Sequence, residues 1–139
     1  VTVVLDKATH TRELIEAGGV FALQLPTRAQ VALTVGVGTD SLRTMPDKLV
    51  RHGVQLFEAP VGEVPLVAGC VGWLACRLRP EPHNQQAYDL FIGDVVGAWA
   101  DERVFRAGRW QFHTAPEALR TIHHVAGGQF FVTGAAVQA

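Results

Sequence analysis

The chain has 139 residues, 48% of them hydrophobic, with 12 lysines and arginines against 13 aspartates and glutamates and a formal net charge of −1. That length and balance predict one globular domain, 1–139, with a real core, and the absence of a basic stripe argues against a nucleic-acid partner. The longest apolar stretch, Val64 to Ala75, is broken by Pro65, Gly69 and Gly72 and is too short for a membrane helix. With no signal peptide evident, the expected location is cytoplasmic, with no membrane partner.

In chain order, Val1, Val3, Val4 and Leu5 read as a strand, and Arg12 to Ala17 as a helix ended by Gly18-Gly19. A strand this apolar needs neighbours, so further strands are expected upstream of Val1. Val20 to Leu25 is a second strand closed by Pro26, and Thr27 is placed to cap a helix over residues 28–34. Gly36 to Pro46 reads as a polar loop, and Asp47 to His52 as a helical turn stopped by Gly53. Val54 to Val64 is an irregular edge or connection. Leu66 to Leu78 is one long strand bent at Gly69 and Gly72, and Pro80 to Asn84 is a turn. Tyr88 to Ala100 is a strand with barrel-corner glycines at 93 and 97. Ala107-Gly108 and Gly127-Gly128 mark turns, the first within a hairpin and the second before a final strand, with a helical turn between them at Pro116 to Arg120. Short helices among antiparallel strands predict a mainly β or α+β barrel domain, not a doubly wound sheet.

The polar turn Asp6-Lys7-Ala8-Thr9-His10-Thr11 joins a strand to a helix start, where unpaired amides and the dipole favour an anion. A phosphate site and a plain Thr N-cap are both open readings. Neither Thr9 nor Thr11 completes a capping box, because Arg12 and Leu14 stand three residues on. Thr39, Ser41, Arg43, Thr44 and Lys48 form a second polar cluster, suited to an anionic or ring-shaped ligand or simply to solvent.

His123-His124 point to opposite faces of a strand, and no other histidine has metal-ligand spacing, so no metal is expected. Cys70 and Cys76 would sit on one strand face, about 20 Å apart, too far for a disulfide. Gly36 and Gly38 lack the rest of a dinucleotide fingerprint, and no nucleophile elbow is present. The three tryptophans are expected in the core or at a dimer surface.

Taken in order, VVLDKATHTRELIEAGGVFALQLP, the polar loop ending DKL, GCVGWLACRL, YDLFIGDVVGAW and IHHVAGG resemble the flavin reductase domain family. These are FMN-binding split β-barrels that include flavoredoxin-like proteins. The resemblance implies a split barrel with short helices, a homodimer, and FMN as cofactor with NAD(P)H as electron donor. It also implies hydride transfer to flavin N5 with no catalytic side chain, and an electron-acceptor protein as a possible partner. Lys7, Thr9, His10 and Thr11 match the turn that approaches the phosphate and ribityl end. Ser41, Arg43, Asp47 and Lys48 match the polar loop, which here has another length and lacks the Ser-Gly pair. Gln24 stands where the family often has Asn. Reductases that take free NADH often carry Gly-Asp-His before the last long strand; this chain has Ala87-Tyr88-Asp89. A non-enzymatic FMN electron carrier is therefore the alternative implied by the resemblance.

Overall fold

The chain's longest β-favouring runs pair into one antiparallel sheet in the computed structural model, which describes all residues 1–139. Its strands are β1 (Thr2–Val4), β2 (Val20–Leu25), β5 (Gly72–Arg79) and β6 (Leu90–Ala100), in the order β1-β6-β5-β2. Short hairpins carry the remaining strands: β3 (Leu56–Glu58) with β4 (Pro65–Val67), β7 (Phe105–Arg106) with β8 (Arg109–Trp110), and β9 (Ile122–Ala126) with β10 (Gln129–Val132). Four short helices, α1 (His10–Gly18), α2 (Val31–Thr39), α3 (Lys48–Arg51) and α4 (Pro82–Tyr88), fill the connections.

The β5–β6 register runs from Ala75 opposite Gly97 to Cys76 opposite Val95, leaving Val96 as the extra residue of a bulge. A bulge bends its strand and deepens the local twist. The sheet accordingly curls into a half-barrel. Glycine at 93 leaves room for the Phe21 ring, because a Cβ there would stand 2.8 Å from Phe21 Cε1.

The apolar alternation feeds three small cores. Ile15, Phe21, Cys76 and Phe91 form one between α1 and the sheet. Val64, Leu66 and Ala75 form a second, backed by Trp73 and Trp99. Val71, Val104 and Ala115 form a third beneath Phe112 and Leu119. Trp110 remains on the surface, stacked on Phe112 with ring planes 8° apart.

Arg12 fastens α1 to this frame from within the first core. It donates to Asp89 Oδ1 at 2.5 Å and to the carbonyls of Gln85 at 2.9 Å and Leu5 at 3.3 Å. Its Nε donates to Glu16, and its guanidinium lies over the Phe91 ring. Buried charge persists only with such full pairing.

Several expectations need correction. The loop expected from Gly36 is helix: α2 runs through Gly36 and Gly38 to Thr39. The expected long strand from Leu66 divides into β4 and β5, because Gly69 turns the chain with a φ of 88°. Cys70 therefore lies outside β5, and the same-face argument does not apply; both thiols are free and buried. Pro80 to Asn84 does not remain a turn, since α4 begins at Pro82, a residue suited to the first helical position. No helix is long and apolar enough to cross a membrane.

Candidate functional site

The first turn of α1 is open. Thr9 holds the N-cap position in an extended conformation, yet its side chain makes no cap bond. Its hydroxyl donates instead to the Asp6 carbonyl at 2.8 Å, while the Ala8 amide donates to Asp6 Oδ1 at 2.7 Å. The first amides of a helix have no intrahelical acceptor, so they leave the positive end of the α1 dipole outward.

Facing this end is the C-terminus of α2. Lys48, at the start of α3, donates to the carbonyls of Val37 at 2.9 Å and Asp40 at 2.8 Å, closing that helix end. Favourable interaction with the negative end of α2 fixes the ammonium in place. The Asp40 carboxylate is taken up by His52, with Oδ2 2.6 Å from Nε2. Between the two helix ends lies a cleft of about 310 Å³, walled by Thr9, His10, Thr11, Gly38, Ser41 and Lys48.

A strap crosses between α1 and the 41–47 loop. Glu13 pairs with Arg43 and accepts from His10 at 2.9 Å between Oε2 and Nδ1. Arg43 also donates to the Ala8 carbonyl at 3.4 Å. The Arg43 hydrogen bond, followed by that from His10, lowers the Glu13 carboxyl to about 2. The cleft thus meets a ligand with amide dipoles, hydroxyls and an ammonium, while the nearby carboxylates Glu13 and Asp40 are engaged elsewhere.

Of the residues expected at a site, Thr9, His10, Thr11, Thr39, Ser41 and Lys48 come together here. Five do not wall the cleft. Thr44 donates its hydroxyl to the Ser41 carbonyl at 3.2 Å. Lys7 reaches toward Asp89, 3.9 Å away. Gln24 accepts from the Val67 amide at 2.6 Å, tying β2 to β4. Asp47 pairs with Arg51 on the exposed side of α3, and Arg43 turns to Glu13. Gly38, expected in a loop, is part of a helical wall of the cleft. No group of three His, Cys, Asp or Glu side chains gathers to hold a metal. The chemistry on offer is anion capture and positioning.

Residues 1–117 match the family model described as "Flavin reductase like domain". Across 140 aligned residues the chain is 43% identical to the uncharacterized protein YddH of Escherichia coli strain K12, spanning all of this chain and 72% of that protein. The crystal structure of an FMN-binding domain of a flavin reductases-like enzyme from Shewanella baltica superposes with a TM-score of 0.96 at 54% identity, over 99% of this chain and 72% of that one. Flavoredoxin of Desulfovibrio vulgaris (Miyazaki F) gives 0.79 at 20% identity, over 99% and 72%, a likeness of fold alone.

Proposed function

The chain belongs to the flavin reductase-like domain family, and on that premise we propose that it binds FMN and reduces it with NADH or NADPH. The observation that carries this reading is the open N-terminus of α1 facing the anchored Lys48 across one cleft. The donor set fits a phosphate. First-turn amides, the Thr11 hydroxyl and an ammonium converge, and no unpaired carboxylate opposes them.

Ligand pockets run from about 300 to 1,000 Å³. At about 310 Å³ the cleft suits the phosphate and ribityl end, with the ring lying beyond it. Lys48, Thr11 and the α1 amides would hold the phosphate, with His10 and Ser41 beside the ribityl chain. When bound, FMN would supply the two-electron chemistry, taking a hydride from the pyridine nucleotide. The protein contributes position and a fixed positive potential, which need no reorganisation during the reaction.

A homodimer accompanies this reading. Helix α2 is apolar nearly throughout yet has no buried residue, as a helix awaiting a partner surface would. Sedimentation at micromolar concentration should return twice the monomer mass; a monomer there would remove the dimer from the proposal. The two buried, free thiols accord with a reducing, cytoplasmic setting.

One observation favours a second reading, a flavin electron carrier that does not use pyridine nucleotide. Ala87-Tyr88-Asp89 replaces Gly-Asp-His, and the Asp89 carboxylate is committed to Arg12 at 2.5 Å. The visible spectrum of the purified, FMN-loaded protein decides between them. A flavin band bleached by anaerobic NADH or NADPH supports the reductase. A band that persists until dithionite is added selects the carrier. No retained band, and no binding on titration with FMN, overturns both.

A further inference from the structure

A cavity of about 730 Å³ opens between the β7–β8 hairpin and the segment that follows it. Arg103, Arg106, Gln111 and Thr114 give it polar walls, and Pro116 and Leu119 give it apolar ones. It shares no lining residue with the α1 cleft. The third core fixes its frame: Val104 and Ala115 are buried, and the Gln111 amide donates to the Val104 carbonyl at 2.7 Å.

Positive charge around this cavity is uncompensated. Arg106 and Arg109 stand directly opposite each other across the hairpin, whose turn at Ala107-Gly108 sets that register. Like charges opposed on paired strands are destabilising. Six of the chain's ten arginines form ion pairs, but these two do not. The nearby acids are engaged elsewhere, Asp101 by Arg103 at 2.5 Å and Glu117 by Arg28. Glu102 meets Arg106 only through its carbonyl, which accepts from Nε at 2.8 Å. Donors remain. Arg106 keeps both Nη groups, Arg103 keeps Nη1 after giving Nε and Nη2 to Asp101, and the half-buried Gln111 side chain has no partner.

We propose that this cavity binds an organic phosphate monoester, at a site separate from the α1 cleft. Arg106 and Arg103 meet the phosphate, Gln111 donates beside them, and the organic body lies on Pro116 and Leu119. A phosphate monoester carries about −1.5 to −2 charges near pH 7. That matches the two uncompensated guanidinium groups, whereas a single carboxylate would leave one of them unmet. Guanidinium also fits phosphate geometry and keeps its charge at any working pH. Bare phosphate would not fill a volume typical of ligand pockets, so the ligand has a body.

Phenyl phosphate is the probe, titrated by calorimetry in phosphate-free buffer into wild type, Arg106→Gln, Arg109→Gln and Lys48→Met. Arg106→Gln should weaken binding at this site about tenfold or more. Lys48→Met, which acts at the α1 cleft, should leave that binding in place. Arg109→Gln should raise Tm without ligand, by removing the opposed charge, and should shrink the rise in Tm that phenyl phosphate gives wild type. Benzoate, with the same ring and a single charge, should bind clearly more weakly. Binding that vanishes in Lys48→Met and is unchanged in Arg106→Gln would place the phosphate in the α1 cleft and overturn the site. Benzoate binding as tightly as phenyl phosphate overturns the phosphate class. No binding at millimolar concentration overturns the proposal outright.

Discussion

The His52 imidazole occupies the space where a side chain on Gly36 would begin. A Cβ at residue 36 would stand 2.8 Å from His52 Cγ and closer still to Nδ1 and Cε1. The ring cannot swing away freely, because its Nε2 lies 2.6 Å from the Asp40 carboxylate at the end of α2. Alanine at 36 gains helix propensity of about 0.5–1 kcal/mol over glycine. Overpacking against a held ring costs about 1–3 kcal/mol. Gly36→Ala should therefore lower stability in urea titration, whereas in a His52→Ala background the same change should raise it by the helix gain. A stabilised single variant would show that the ring is free to move.

This contact explains why α2 was hard to read from the sequence. Gly36 and Gly38 are locally loop-like, and what makes them helical is packing against a ring on another element. Where local chemistry decides, the reading holds: Val20–Leu25 is strand as expected, and Ala107-Gly108 turns with φ of 49° and 73°. The same division applies to the site. Thr9, His10 and Thr11 are contiguous, so a strand-to-helix turn gathers them. Asp47 and Lys48 are adjacent, but a helical turn sends them to different surroundings. Their separation depends on the direction of α3, which residue type does not reveal.

Acid should loosen the strap over the cleft. Glu13 normally titrates near 4.5 and is lowered to about 2 by Arg43 and then His10. A carboxyl depressed on folding stabilises the native state fully above its unfolded value and loses that contribution as pH falls through the folded one. The effect therefore falls between about pH 4.5 and 2. Asp47 and Asp101, also lowered by arginine partners, add acid sensitivity of the same sign. Glu13→Gln should show a shallower decline of Tm across that window than wild type, a difference reduced by salt because the pair is exposed. Superimposable Tm profiles would mean the strap contributes nothing to the folded state.

Arg12 should be far less replaceable than the exposed arginines. Removing it leaves the Asp89 carboxylate with only Lys7 at 3.9 Å and takes the shared donor from two carbonyls. Arg12→Lys retains charge but not the planar fork that reaches several acceptors at once. Both Arg12→Ala and Arg12→Lys should lower the urea midpoint clearly, while Arg51→Ala, which breaks only a surface pair with Asp47, should leave it unchanged within error. An Arg12→Lys protein as stable as wild type would reduce the hub to a simple charge requirement.

Lys48 carries the sharpest test of the phosphate assignment because it has two separable duties. Two of its donors close α2 through the carbonyls of Val37 and Asp40, and the ammonium still borders the cleft. Lys48→Met removes the charge and retains the apolar stem. A hydrogen bond to a charged group is worth about 1.5–3 kcal/mol. FMN affinity should therefore fall by roughly 10- to 100-fold. Riboflavin, which lacks the phosphate, distinguishes the duties. If Lys48 meets the phosphate, riboflavin binds wild type and Lys48→Met equally, and the salt dependence of FMN binding flattens in the variant. If Lys48 serves only to hold the end of α2, both ligands weaken together and the salt dependence is retained. That second pattern would move the phosphate away from Lys48, leaving the α1 amides and Thr11 as its remaining partners.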